Sequence, residues 1–251
     1  MTRAVAGRQE ATGLPLLQSY WNRSQMPLTC LLFVSPMVVL YELGTHLFAR
    51  DAVHHQELRI VAFLKLQQFF AFFGASQQYL PALSVASILL AWHIARRDPW
   101  KLELGVAVAM VLECILLCLP LFVMGVMVDR LFPLHTGIGN GPARLIFPLG
   151  AGVYEELVFR LIGFTFLSFV LVDVFRMSKR YATPLIVCVC AVLFALHHCW
   201  GIGERFDWHA LLFRTGAGIY FGLVFLSRGY GITAGSHATY DIINEVVRAL
   251  F

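Results

Sequence analysis

Apolar residues run along most of this chain in long blocks, broken by short polar stretches rather than alternating with them. A helix needs about 20 apolar residues to cross a bilayer, because in hydrocarbon each backbone N–H and C=O must be bonded within the segment. The blocks predict helices near Leu28–Phe48, Leu58–Phe73, Leu80–Ala95, Leu102–Val128, Leu145–Val172, Pro184–Trp200, Leu211–Leu226 and Ile232–Leu250. The expected fold is all-α: a polytopic transmembrane bundle of seven to eight helices, residues 28–251 forming one domain and residues 1–27 a cytosolic or interfacial segment. Leu58–Phe73 is the weakest span, being short and carrying Arg59, Lys65, Gln67 and Gln68. It reads as an interfacial or partly inserted helix.

Composition agrees with that pattern. Hydrophobic residues make up 59% of the 251 and charged ones 14%, and the mean hydropathy of +0.72 is too apolar for a water-soluble globule. The net charge of +4 is gathered in short clusters, Arg96-Arg97 with Lys101 and Arg176 with Lys179-Arg180. Such clusters suit the positive-inside rule, whereas nucleic acid would require a contiguous basic face; no nucleic-acid partner is expected, and the lipid bilayer is. Two spans separate the clusters, which puts both on the cytoplasmic side and the C-terminus outside. Residues 1–27 have no apolar core of a cleavable signal, so the first span would act as a signal-anchor. The six cysteines contain no C-x-x-C pair and read as buried free thiols. Leu131–Gly141, with Pro133, Gly137 and Gly139, reads as a loop.

Against this background the ionisable residues inside apolar blocks stand out, since each costs several kcal/mol in a membrane helix unless paired or watered. Glu155, Glu156 and Arg160 fall within six residues of one helix. Glu156 and Arg160 are four apart and predict an ion pair, which leaves Glu155 without a local partner. His197 and His198 lie near the end of the next block; adjacent positions face different directions, so one of them at most is expected to share a cavity with Glu155. His237 and Asp241, four apart in the last helix, can act as a structural pair, or as a histidine and the carboxylate that orients it; Asn244 adds a polar position one turn on. A carboxylate, histidines and an aspartate on three helices are the parts needed to activate water against an amide.

Glu-Glu-x-x-x-Arg at 155–160, Phe-x-x-x-His at 194–198 and His-x-x-x-Asp at 237–241, in that order on late helices, resemble the family that groups type II CAAX-prenyl endopeptidases with bacteriocin-processing and self-immunity proteins, the glutamate intramembrane proteases. The resemblance covers about 140–251, and Gly216, Gly218, Gly222 and the turn near Arg228–Gly231 add weak support. It implies an intramembrane endopeptidase in which Glu155 activates water; His198, His237 and Asp241 complete the catalytic set; and Glu156 with Arg160 support it. It selects His198 over His197. It also implies a peptide or protein substrate at the membrane and a multi-pass protein of the bacterial inner membrane, where members carry Asp as here at Asp241. The differing depths of His237 and His198 along their helices predict a polar, watered intramembrane cavity. A divalent metal such as Zn, held by His198, His237 and Asp241, is one cofactor expectation and none is the other. A non-catalytic membrane adaptor or bacteriocin-immunity protein is an alternative. So is a proton or ion transporter, though the early spans offer mainly Glu42, His46 and Glu113 to line a route. No H-E-x-x-H or G-x-S-x-G occurs, which disfavours the common zinc and serine hydrolase sites.

Overall fold

The structure, a computed structural model, describes residues 14–49, 57–131, 143–199 and 207–250. All elements among them are helical: α1 (Leu14–Ser24), α2 (Pro27–Phe48), α3 (Val61–Phe72), α4 (Leu80–Arg96), α5 (Leu104–Leu131), α6 (Ala143–Val174), α7 (Lys179–Cys199) and α8 (Trp208–Leu250). Five of them, α2, α5, α6, α7 and α8, are long and apolar enough to cross a membrane. The predicted loop at 131–141 and the stretch after Cys199 fall almost wholly outside the described residues.

Proline and glycine punctuate the helices. Pro27 opens α2 and Pro81 opens α4, at positions where the missing N–H costs nothing. The two helices expected at 211–226 and 232–250 are one element broken at Gly229, whose φ of 75° and ψ of −177° no other residue adopts without strain. The break folds α8 back on itself into arms 208–228 and 230–250. Phe221 stacks on His237 with ring centroids 4.7 Å apart, and Phe213 faces Tyr240 at 6.1 Å. The expected turn is therefore present, and it is a single residue deep.

The outer surface is apolar in a way that water would not tolerate. Leu112, Leu116, Leu119 and Val123 of α5 are each more than half exposed, while Met110, Cys114, Cys118 and Leu121 on its other side are buried. Cys30, Cys114, Cys118 and Cys190 are free and buried as expected, but Cys188 is exposed. Gly218 packs on Ala191 and Gly222 on Val187, so α7 runs antiparallel to the first arm of α8. Gly231 meets Cys30 near the start of α2 and Met110 near the start of α5. The Gly229 turn and both basic loops thus stand at one end of the bundle. At 12 residues, α3 is about 18 Å long and too short to span, in keeping with a partly inserted helix. The chain goes out along α2 and back along α4, which leaves α1 at the same end as the basic loops.

Candidate active site

The carboxylates sit where α6 departs from α-helical geometry. Pro148 removes one backbone donor, and π-helical turns follow at Ala151–Glu155, Leu157–Ile162 and Phe169–Val174. Wider turns of this kind alter the direction of side chains relative to a regular helix and recur at functional sites. The Tyr230 hydroxyl donates to the Val153 carbonyl at 2.9 Å, giving a partner to backbone in the first of these turns. Gly152 lets the turn approach the second arm of α8: a Cβ there would lie 2.5 Å from the Ala234 carbonyl oxygen and 2.8 Å from Ala238 Cβ. That approach carries Glu155 and Glu156 to His237.

Glu156 and Arg160 form the expected pair, fully buried, with Arg160 Nη1 3.1 Å from Glu156 Oε1. Arg160 Nη2 also donates to the Gly218 carbonyl at 3.2 Å, and its guanidinium lies 4.4 Å from the centre of the Phe194 ring. Glu156 Oε1 has a second partner at 2.8 Å, His237 Nδ1. An ionised carboxylate only accepts, so Nδ1 carries the proton and Nε2 of His237 points the other way. There it lies 3.3 Å from Asp241 Oδ2 and 4.0 Å from Glu155 Oε2.

Glu155 is held differently. It is 5% exposed, and its Oε2 is buried with no hydrogen-bond partner. Around it stand three imidazoles: His198 Nε2 is 3.6 Å from Oε2, His237 Nε2 4.0 Å from Oε2, and His197 Nε2 3.9 Å from Oε1. The expectation that one at most of the adjacent histidines could reach Glu155 is corrected here. Both lie in the last turn of α7 with their rings 5.2 Å apart and nearly perpendicular, and each reaches the carboxylate by the far nitrogen of a long side chain. The Nδ1 of His198 lies 2.9 Å from the Phe194 carbonyl, which can only accept, so this nitrogen bears the proton and Nε2 faces Glu155 with a lone pair in the neutral ring.

The polar cluster opens to one side. The side chains of His198 and Asp241 are 26% and 30% exposed, against 6% for those of Glu155 and His237. Phe159, Phe194 and Phe221 wall the rest of it through ring contacts with the histidines. Among the described residues no group of three or more His, Cys, Asp and Glu side chains is placed to hold a metal ion, and His198, His237 and Asp241 are not such a set. Every predicted site residue is thus in one cluster, and His197 joins it. Tyr154 and Tyr230, absent from the sequence reading, brace the turn that bears the carboxylates.

Residues 140–243 match the family described as type II CAAX prenyl endopeptidase, Rce1-like. The chain carries an Rce1-like domain. The match takes in all of the clustered site residues on α6, α7 and α8. No curated protein and no solved structure matched the chain. The Rce1-like domain belongs to a membrane protease family, and the buried Glu155, Glu156 and histidine cluster within it is consistent with a catalytic site.

Proposed function

We propose that this protein is an intramembrane endopeptidase that hydrolyses a membrane-proximal peptide bond with water activated by Glu155. The observation that carries the reading is the buried Glu155 carboxylate, one oxygen unpartnered, with three imidazole nitrogens within 4.0 Å. Burying a carboxylate without hydrogen bonds is costly, and such a group is retained where its charge is used. Contacts of 3.6 to 4.0 Å are too long for direct hydrogen bonds, and a water roughly 2.8 Å from each of these groups enters between them when the site opens to substrate.

In the reaction Glu155 takes a proton from that water as its oxygen bonds to the scissile carbonyl carbon. The carbon–nitrogen bond then breaks, and the proton held by Glu155 passes to the departing amine. His198, through Nε2, orients the water. His237, fixed by Glu156 at Nδ1 and by Asp241 at Nε2, is held between two carboxylates that favour its doubly protonated form, and its Nε2–H is the donor to the developing oxyanion. Glu156 and Arg160 keep that histidine and the α6 turn in place. The family description points to prenylated CAAX peptides as one substrate class, and the partly exposed side chains of His198 and Asp241 mark the side from which a peptide would enter.

The test compares wild-type protein with Glu155→Gln in host membranes by mass spectrometry of new peptide termini, with a prenylated CAAX peptide as a defined second substrate. Cleavage products present with wild type and absent with the variant, at equal membrane insertion, are expected. Equal products from both proteins would overturn the assignment of Glu155.

A further inference from the structure

A second ionic cluster, partly buried, lies outside the family-matched region and touches the residue next to Glu155. The Tyr154 hydroxyl donates to Glu42 Oε1 at 3.1 Å, and Arg59 Nη1 donates to Glu42 Oε2 at 2.7 Å. Arg59 also grips Glu57, through Nη2 at 2.6 Å and Nε at 3.1 Å, and Glu57 in turn meets His46 Nδ1 at 2.8 Å. The Arg59 side chain is 5% exposed although its residue is flanked by chain that must enter α3. Its guanidinium lies 4.6 Å from the centre of the Phe63 ring. Tyr41, Phe63 and Tyr154 pack against one another at 5.1 to 5.8 Å, Tyr154 edge to face with each of the other two, and the Tyr41 hydroxyl accepts the Ile60 N–H at 3.1 Å.

This is more than the anchorage of a surface helix requires. A desolvated carboxylate–guanidinium pair is a weak source of stability, and apolar residues would fill the same volume at no electrostatic cost. What the pair does supply is direction. Glu42 accepts from Tyr154 at one oxygen and from Arg59 at the other, so the Tyr154 ring is tied to α2 and to the entry of α3 at once. Tyr154 occupies the π-helical turn, one residue before Glu155. Tyr230 ties the same turn to α8 from the residue before.

We infer that Glu42 and Arg59, from the part of the chain outside the Rce1-like domain, are positioning residues for Glu155, acting through the Tyr154 hydroxyl. The role in catalysis rests on the peptidase reading above; the mechanical coupling does not. Loss of the Glu42–Tyr154 bond frees the turn to rotate Glu155 away from the three histidines while the helices stay packed. Misplacement of a reactive group by about an ångström lowers turnover by as much as a hundredfold.

Hydrogen–deuterium exchange of the purified full chain in detergent tests the coupling without a substrate. Glu42→Met and Tyr154→Phe are each expected to speed amide exchange at 151–160 by about tenfold, with α5 unchanged, and the double variant is expected to match the singles. Arg59→Met should do the same and Arg59→Lys should restore much of the protection. Unchanged exchange at 151–160, equal loosening of α5, or additive effects would each overturn the inference. With a cleavable peptide in hand, the same variants should lower kcat with KM unchanged, and a change in KM alone would also overturn it. Activity retained in Glu155→Gln would refute the peptidase reading and leave the exchange result standing.

Discussion

Replacing Arg160 with methionine tests how the site is held. Arg160 is fully buried and its charge faces a carboxylate, Glu156, that is fully buried too. Removing one partner of such a pair costs about 3–5 kcal/mol, because the remaining charge stays desolvated. Here the remaining carboxylate keeps only the His237 Nδ1 contact at Oε1, since Oε2 has no partner even in the intact site. The Gly218 carbonyl loses its guanidinium donor as well. Glu156→Gln leaves Arg160 as the uncompensated charge and should cost a similar amount. The double variant Glu156→Gln/Arg160→Met buries no charge at these positions, so its cost should fall short of the sum of the two singles by about 2–3 kcal/mol. Unfolding of the purified protein in mixed detergent and SDS micelles, followed by tryptophan fluorescence, measures all four corners of this cycle. Additive effects within about 0.5 kcal/mol, or an Arg160→Met protein as stable as wild type, would refute the reasoning that the pair is a coupled buried unit.

Three other outcomes follow from particular contacts. His197→Ala should lower cleavage of a responsive peptide by about tenfold or more, as a group within 4 Å of Glu155 does, and activity within twofold of wild type would return His197 to a packing role. Gly229→Ala and Gly229→Asn should both destabilise by about 1–3 kcal/mol in SDS unfolding: the site has room for a Cβ, but its φ and ψ lie where asparagine gains no relief, so rescue by asparagine would contradict the strain argument. Glu57 lies before α3; partial burial raises its pKa, but hydrogen bonds from His46 and Arg59 outweigh that and hold it below the usual carboxylate range. Because the folded-state value is the depressed one, its contribution is present above an unfolded value of about 4.3 and is lost as pH falls through the folded value. Amide exchange at 57–64 should therefore quicken in that acid window and not between pH 6 and 8; a rise confined to neutral pH would sink the assignment.

The helices and the reactive groups were legible in the sequence for different reasons. Spans follow from block hydropathy, which needs no tertiary knowledge. The Glu156–Arg160 pair follows from a spacing of four. The meeting of Glu155 with the histidines depends on how three helices pack, and the ordered motifs supplied that through the family resemblance. What could not be read was set by departures from regular geometry. The angular argument that excluded one of His197 and His198 treats each helix as an ideal cylinder and each side chain as a direction, yet imidazole nitrogens at the end of α7 reach the same carboxylate from two directions. The π-helical turns of α6 have no clear mark in the sequence beyond Pro148, Gly150 and Gly152. Glu42 and Arg59 were visible as charges in apolar blocks, but nothing local ties them to Tyr154, which lies 112 residues from Glu42.

Two adjacent carboxylates in one helix turn have come to opposite conditions, and the difference lies in what each faces. Glu156 is saturated on one oxygen by Arg160 and His237, so its charge is spent on holding other groups. Among the described residues Glu155 has no guanidinium partner and no imidazole nitrogen closer than 3.6 Å, with three of them within 4.0 Å, so its charge is available to a small molecule that enters. Environments that divide neighbouring titratable groups in this way are how acid–base roles are assigned in enzyme sites. The division also accounts for the doubled glutamate. A single carboxylate tied to Arg160 and His237 at one oxygen would have its charge neutralised there and its second oxygen fully buried, as Glu156 Oε2 is, and one left free could not fix the histidine opposite. The supports lie on both sides of residue 140, where the family match begins: Tyr230 and Gly152 hold the turn from within the matched region, and Glu42 with Arg59 hold it from outside.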